Sequence, residues 1–205
     1  YPLRRQRQMC IRDRAKGVYG PVEALRYGIF HVVSVATTTG FTTVDYLSWP
    51  VFAPVLMLLL SGVATSAGST GGGIKMVRML ILLKQARREL TRLVHPRAMQ
   101  PVRLGNGVVD DRMIFSVLAF MLVYGATVIT LSMVLLLTDL DPVTAFSAVL
   151  ASVHCMGPGL GALGPSSNYA VLTDFQTWIC TLAMLLGRLE ILSFMALLSP
   201  AFWRR

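Results

Sequence analysis

Charge is scarce in this chain. Only 14% of its 205 residues are Asp, Glu, Lys or Arg, while 54% are hydrophobic and the mean hydropathy is +0.61. The uncharged residues lie in long runs instead of amphipathic stripes, which excludes an ordinary soluble domain and indicates a membrane protein. Cysteine is scarce too. Cys10, Cys155 and Cys180 are scattered and odd in number, so they give neither zinc spacing nor a disulfide framework. The three histidines, His31, His95 and His154, stand apart. No Ser/His pair, paired aspartates or His-rich metal set suits an intramembrane enzyme, so the chain reads as no enzyme. Adjacent His154 and Cys155 have no partner cluster to complete a metal site. A secretory signal is missing as well: Tyr1 to Arg14 carries five arginines and no apolar core of signal length. Residues 1–14 read as a non-native arm, because 8–14 resembles translated sequencing-adaptor read-through; the alternative is a native basic arm.

The net charge of +9 could suggest nucleic acid, but its distribution points elsewhere. Nine Lys/Arg fall between Lys75 and Arg112, and none lies in 41–74 or 113–187. Basic residues confined to one linker and to the ends fit the positive-inside rule better than a nucleic-acid groove.

Along the chain, residues 21–36 predict one short helix. It should stop at the threonine-rich run 37–43, a poor helix interior. Residues 51–60 are strongly apolar and would rise about 15 Å as helix, about half a hydrocarbon core. The uncharged small-residue stretch 61–73 then predicts a break. Irregular backbone at membrane depth survives where it is buried in protein or lines water; close helix packing is the plainer alternative. The stretch fails the phosphate-loop pattern because Ile74 separates Gly73 from Lys75. Helix resumes over 74–94 with a basic end, and 95–112 reads as a polar linker. Residues 113–138 are long enough to span a bilayer. A second short helix follows over 142–154, then a break at 156–161 and a final span over 175–199. Trp203, Arg204 and Arg205 suit an interfacial anchor. Asp45, Asp139, Asp141 and Asp174 fall on the outer side, as cation attractors or as ordinary loop acids.

The two halves share a plan of short helix, glycine-bearing break, external loop and long helix. Setting Gly40 against Gly157 places Thr37-Thr38-Thr39 opposite His154-Cys155-Met156. On these segments the chain resembles the Trk/Ktr/HKT potassium transporters, in particular TrkH-like bacterial pore subunits. Residues 33–43 resemble the third pore loop, and 68–75 (Gly-Ser-Thr-Gly-Gly-Gly-Ile-Lys) the intramembrane loop of that repeat. Residues 141–148 and 157–161 resemble the fourth pore loop, and 187–191 the last helix.

The resemblance implies an all-α membrane protein of tandem helix–pore-loop–helix repeats, present here only in part. Residues 15–94 would form the third repeat without its first helix, 95–112 a cytoplasmic linker and 113–205 the fourth repeat. Backbone carbonyls can replace the water of a potassium ion, and glycine permits the φ values this needs. The expected ion-binding filter residues are therefore Thr38, Thr39, Gly40, Phe41, Cys155, Met156, Gly157 and Pro158. A polar turn is the plainer reading of Thr-Thr-Thr-Gly. The expected gate residues are Gly71, Gly72, Gly73, Lys75 and Arg188; the last could instead snorkel to the cytoplasmic side. His154-Cys155 departs from the asparagines usual before the fourth filter glycine. The resemblance further implies potassium uptake across the bacterial inner membrane, with potassium as the ion and no organic cofactor. Implied partners are membrane lipid, a second copy, and a TrkA-like cytoplasmic nucleotide-binding regulatory subunit, but no nucleic acid. The alternative is a truncated fragment that conducts nothing.

Overall fold

The structure is a computed structural model, and it describes residues 21–66, 68, 71–96, 101–105, 107–189 and 200–203. Helix α1 (Pro21–Ala36) stops where the threonines begin, as their poor helix propensity requires. Asp45 then caps a short turn, Tyr46–Ser48, by accepting from Leu47 N. Helix α2 spans Phe52–Val63. It continues past Leu60, so Ser61 and Gly62 belong to the helix and not to the expected break. The physical reason is local: the Ser61 hydroxyl donates to Leu58 O at 2.7 Å within the turn.

Helix α3 (Met76–Val94) resumes two residues later than expected, because Lys75 stands at φ +68°. The linker is not purely irregular. Strands β1 (Arg103–Leu104) and β2 (Gly107–Val108) pair antiparallel as a small hairpin, a departure from an all-α chain. Helix α4 (Asp111–Leu136) carries the uncharged run. At 26 residues it rises about 39 Å, which exceeds a hydrocarbon core of about 30 Å. Among the described residues it is the one helix long and apolar enough to cross a membrane.

Helix α5 (Pro142–His154) matches its expected bounds. Asp141 accepts from Val143 N and Thr144 N at its start. Helix α6 (Asp174–Arg188) opens on a reciprocal cap between Thr173 and Gln176. A last turn, α7, covers Pro200–Trp203. Residues 1–20, which include the expected non-native arm over 1–14, lie outside the described residues, as do Glu190, the rest of the last span to 199, and Arg204 and Arg205.

Three apolar clusters hold these helices together. Phe120, Tyr124, Leu135, Val149, Ala183 and Leu186 pack α4, α5 and α6. Val35, Met57, Leu58, Ala151 and Met156 join α1 and α2 to α5. Ile81, Val102, Ile114 and Val117 fix α3 to the linker and α4. The second cluster positions the site, because it brings the C-terminal ends of α1 and α5 together.

Candidate functional site

Helices α1 and α5 end in the same way. The N–H of Thr38 donates to Val35 O at 3.0 Å, and that of Thr39 to Ser34 O at 2.9 Å. In the second unit Cys155 N donates to Ser152 O at 3.0 Å, and Met156 N to Ala151 O at 2.9 Å. Counted from Gly40 and Gly157, these bonds join the same positions. They are the paired bonds of a Schellman helix ending, which needs one residue in the left-handed region. That residue is Thr38 at φ +56° in one unit and Cys155 at +53° in the other. Two residues on, Gly40 (φ +78°) and Gly157 (φ +100°) are left-handed again. Positive φ at alternate residues turns successive peptide planes, so that neighbouring carbonyls can face one side. A row of carbonyls of that kind is what a dehydrated cation needs.

The two loops touch. A β-carbon on Gly40 would stand 2.0 Å from the Met156 carbonyl oxygen and 3.3 Å from Pro158 Cδ. No side chain fits there, so glycine is required by contact as well as by conformation. Gly157 has the same handedness, but a β-carbon there meets nothing within 4 Å.

Different side chains hold the two loops. In the first, Ser34 Oγ donates to Phe41 O at 2.7 Å, which occupies that carbonyl with an anchoring bond. Thr37 Oγ1 and Thr39 Oγ1 share a 2.8 Å bond. Buried His31 accepts from Thr43 N at 3.2 Å, three residues past Gly40. In the second loop Ser147 Oγ accepts from Leu160 N at 2.9 Å, again three residues past the glycine. Tyr169 donates its hydroxyl to Gly157 O at 2.8 Å. Burial, chiefly, pushes this phenol up to about 12, so it stays a protonated donor at neutral pH.

His154, just before Cys155, is buried and bonded at both ring nitrogens. Nδ1 lies 2.7 Å from Ser61 Oγ on α2, and Nε2 lies 2.6 Å from the Tyr124 hydroxyl on α4. One assignment uses every proton once. Tyr124 O–H donates to Nε2, Nδ1–H donates to Ser61 Oγ, and Ser61 O–H donates to Leu58 O. The imidazole is thus a neutral brace among three helices. Gly62 makes room for it: a β-carbon there would lie 2.8 Å from the ring. Sequence alone marked His154 as a departure without finding these partners, which stand 93 and 30 residues away.

The expected gate residues divide. The segment after α2 folds back on that helix, with Ile74 N donating to Gly62 O at 2.8 Å and Met76 N to Thr65 O at 2.9 Å. Its glycines reach both loops. A β-carbon on Gly71 would lie 3.3 Å from Thr38 Oγ1, and one on Gly72 would lie 2.6 Å from Val153 O. Gly73, at φ +94°, faces Gly62. Lys75 stands at the head of α3. Arg188 is exposed at the end of α6, and its neighbour Gly187 packs so closely on α5 that a β-carbon would meet Val153 O at 1.9 Å. The outer acids have structural tasks: Asp45 and Asp141 cap turns, and Asp45 also accepts from Ser166 Oγ at 2.9 Å.

Comparison with known proteins gives the chain's family. The TrkH family, described as a cation transport protein, matches residues 13–205. The Trk system potassium uptake protein TrkH of Vibrio parahaemolyticus is 41% identical over 184 residues, which cover 90% of this chain and 38% of that protein. TrkH of Escherichia coli K12 is 41% identical over 180 residues, covering 88% and 37%. The crystal structure of the potassium transporter TrkH from Vibrio parahaemolyticus superposes with a TM-score of 0.84 at 40% identity, covering 90% of this chain and 39% of that one. The match is to the C-terminal part of these proteins, so the chain spans a little over a third of their length.

Proposed function

Because the chain belongs to the TrkH family of cation transport proteins, we propose that it forms the C-terminal part of a pore that takes up potassium across the bacterial inner membrane. The observation that carries this reading is the repeated loop: two helices end in the same bonds and the same alternate left-handed residues, and the loops meet at Gly40 and Met156. In this reading the carbonyls of Thr38, Thr39 and Gly40 and those of Cys155, Met156 and Pro158 coordinate the ion, while the Phe41 and Gly157 carbonyls anchor their loops through Ser34 and Tyr169. The segment with Gly71, Gly72 and Gly73, flanked by Lys75, acts as the gate together with Arg188 at the end of α6. Transport proceeds without covalent chemistry.

The relatives' greater length favours a second reading, in which the chain conducts only with the missing repeats. Helix α1 supports it. Ile29, Phe30, Val33 and Phe41 are exposed and line a cavity of about 510 Å³, a surface suited to a neighbouring repeat. A second copy and a cytoplasmic nucleotide-binding subunit complete the proposed assembly.

The test is rubidium uptake in uptake-deficient cells. The chain is expressed alone and joined to the N-terminal half of a relative, with Gly40→Asp as the blocked control. Uptake by the joined form that the control loses supports a working half-pore. No uptake by the joined form, with membrane expression confirmed, overturns the conducting reading.

A further inference from the structure

A second candidate site lies at the other end of α3. Lys84, Arg87 and Arg88 on α3 and Pro101, Val102 and Arg103 of the linker enclose a cavity of about 250 Å³. Four of these six residues are cationic and none is acidic. The cavity is built by packing, since Val102 is buried against Ile81, Ile114 and Val117. Lys84 Nζ donates to the Arg103 carbonyl, which fixes β1 beside the helix. Among the described residues Arg88 is the one cation of the four with an acidic partner, Asp111 at 3.0 Å and, more loosely, Glu89 at 3.8 Å. Its Nε is buried with no hydrogen-bond partner. Lys84, Arg87 and Arg103 leave an excess of positive charge.

The surroundings are apolar on one side. Leu80 and Leu83 lie four residues before Lys84 and Arg87, so each is one turn back on the same face of α3. Both are exposed, as are Met113 and Phe115 in the first turns of α4. Through Arg88 and Asp111 the cavity is level with the start of α4, the membrane-crossing helix. A basic hollow beside exposed leucines matches an amphiphile: a phosphate for the cations and acyl chains for the apolar face.

We propose that this cavity binds the phosphate of an anionic phospholipid headgroup from the cytoplasmic leaflet. Basic pockets beside membrane helices on that side have this chemistry. The lipid would tie the linker hairpin to α3 and α4 by occupying the charge between them. The inference rests on the membrane reading of the chain but not on conduction, so lipid retention and rubidium uptake can fail separately.

The test uses the joined protein, purified in a neutral detergent and given phosphatidylglycerol, phosphatidylcholine, glycerol phosphate or inorganic phosphate. Native mass spectrometry counts bound lipid, and thermal melting reports stabilisation. Phosphatidylglycerol should be retained over phosphatidylcholine. Arg87→Gln and Arg103→Gln should each weaken retention by about fivefold, as the loss of one cation from a site that binds an anion implies. Arg112→Gln, which removes a basic residue outside the cavity, should leave retention unchanged. Equal loss in Arg112→Gln would overturn the proposal in favour of diffuse attraction. Stabilisation by inorganic phosphate or glycerol phosphate equal to that by phosphatidylglycerol would overturn it in favour of a free-anion site. Unchanged lipid retention when Arg87→Gln and Arg103→Gln are combined, with loss of a regulatory subunit's binding, would overturn the proposal and assign the cavity to a protein partner.

Discussion

The two loops have one backbone and two different sets of supports. Both leave their helices through a left-handed residue that is not glycine, Thr38 or Cys155, at a cost of about 1–2 kcal/mol each. The first loop is held by its own short helix, through Ser34, His31 and a pair of threonine hydroxyls. The second is held from a distance, by Tyr124 and Ser61 through His154 and by Tyr169 beyond it. Backbone geometry is therefore the shared requirement, and the side chains that enforce it are interchangeable. At His154 the partners are supplied by neighbouring helices, α2 and α4.

The comparison can be broken most severely at its glycines. Gly40→Ala places a methyl group against the Met156 carbonyl and should abolish rubidium uptake by the joined protein. Gly157→Ala meets open space and should retain measurable uptake, at a stability cost of at least about 1–2 kcal/mol because φ +100° lies beyond the ordinary left-handed region. Equal loss in the two would show that conformation, not contact, sets the requirement.

His154→Ala comes next. It strands the Tyr124 hydroxyl, a buried polar group worth about 1–3 kcal/mol when unsatisfied, and leaves Ser61 with its bond to Leu58 O alone. Melting in detergent should fall accordingly, and rubidium over sodium preference should drop. His154→Gln, which can reach one partner, should restore part of both. Ser34→Ala is expected to cost less, about 1 kcal/mol, because it removes one hydroxyl bond and leaves the backbone bonds of the first loop in place.

The smallest effect concerns pH. Tyr169 titrates near 12 in the folded loop against an ordinary 10.0. A raised value means its contribution is fully present below pH 10 and is lost as pH rises toward 12. Melting temperature should decline across that window, and Tyr169→Phe should remove part of the slope.

The elements were legible where the sequence states both ends of a helix. Asp141-Pro142 opens α5 and Cys155-Met156-Gly157 closes it, so its bounds matched. The threonine run closed α1 as plainly. The end of α2 was misread because Ser61-Gly62 has poor propensity in isolation; the hydroxyl's bond to Leu58 lies within the turn, and the fit against His154 is a tertiary fact. The hairpin went unseen because two-residue strands have no periodicity, although Gly105-Asn106-Gly107 carries turn chemistry that could have found it. At the site, the left-handed positions could be guessed at the two glycines but not at Thr38 or Cys155. The bracing of His154 could not be read at all, since it joins residues from three helices.

One consequence follows from the direction in which α1 and α5 approach the loops. Each arrives with its C-terminal end, where a helix carries roughly half a negative elementary charge. Two such ends converge where Gly40 meets Met156. The field there favours any cation over any anion before a single acidic side chain is considered, and the nearby acids are engaged in capping turns. In the proposed pore the preference for a cation would therefore follow from which way the chain runs, and it should survive substitutions that leave the helices in place.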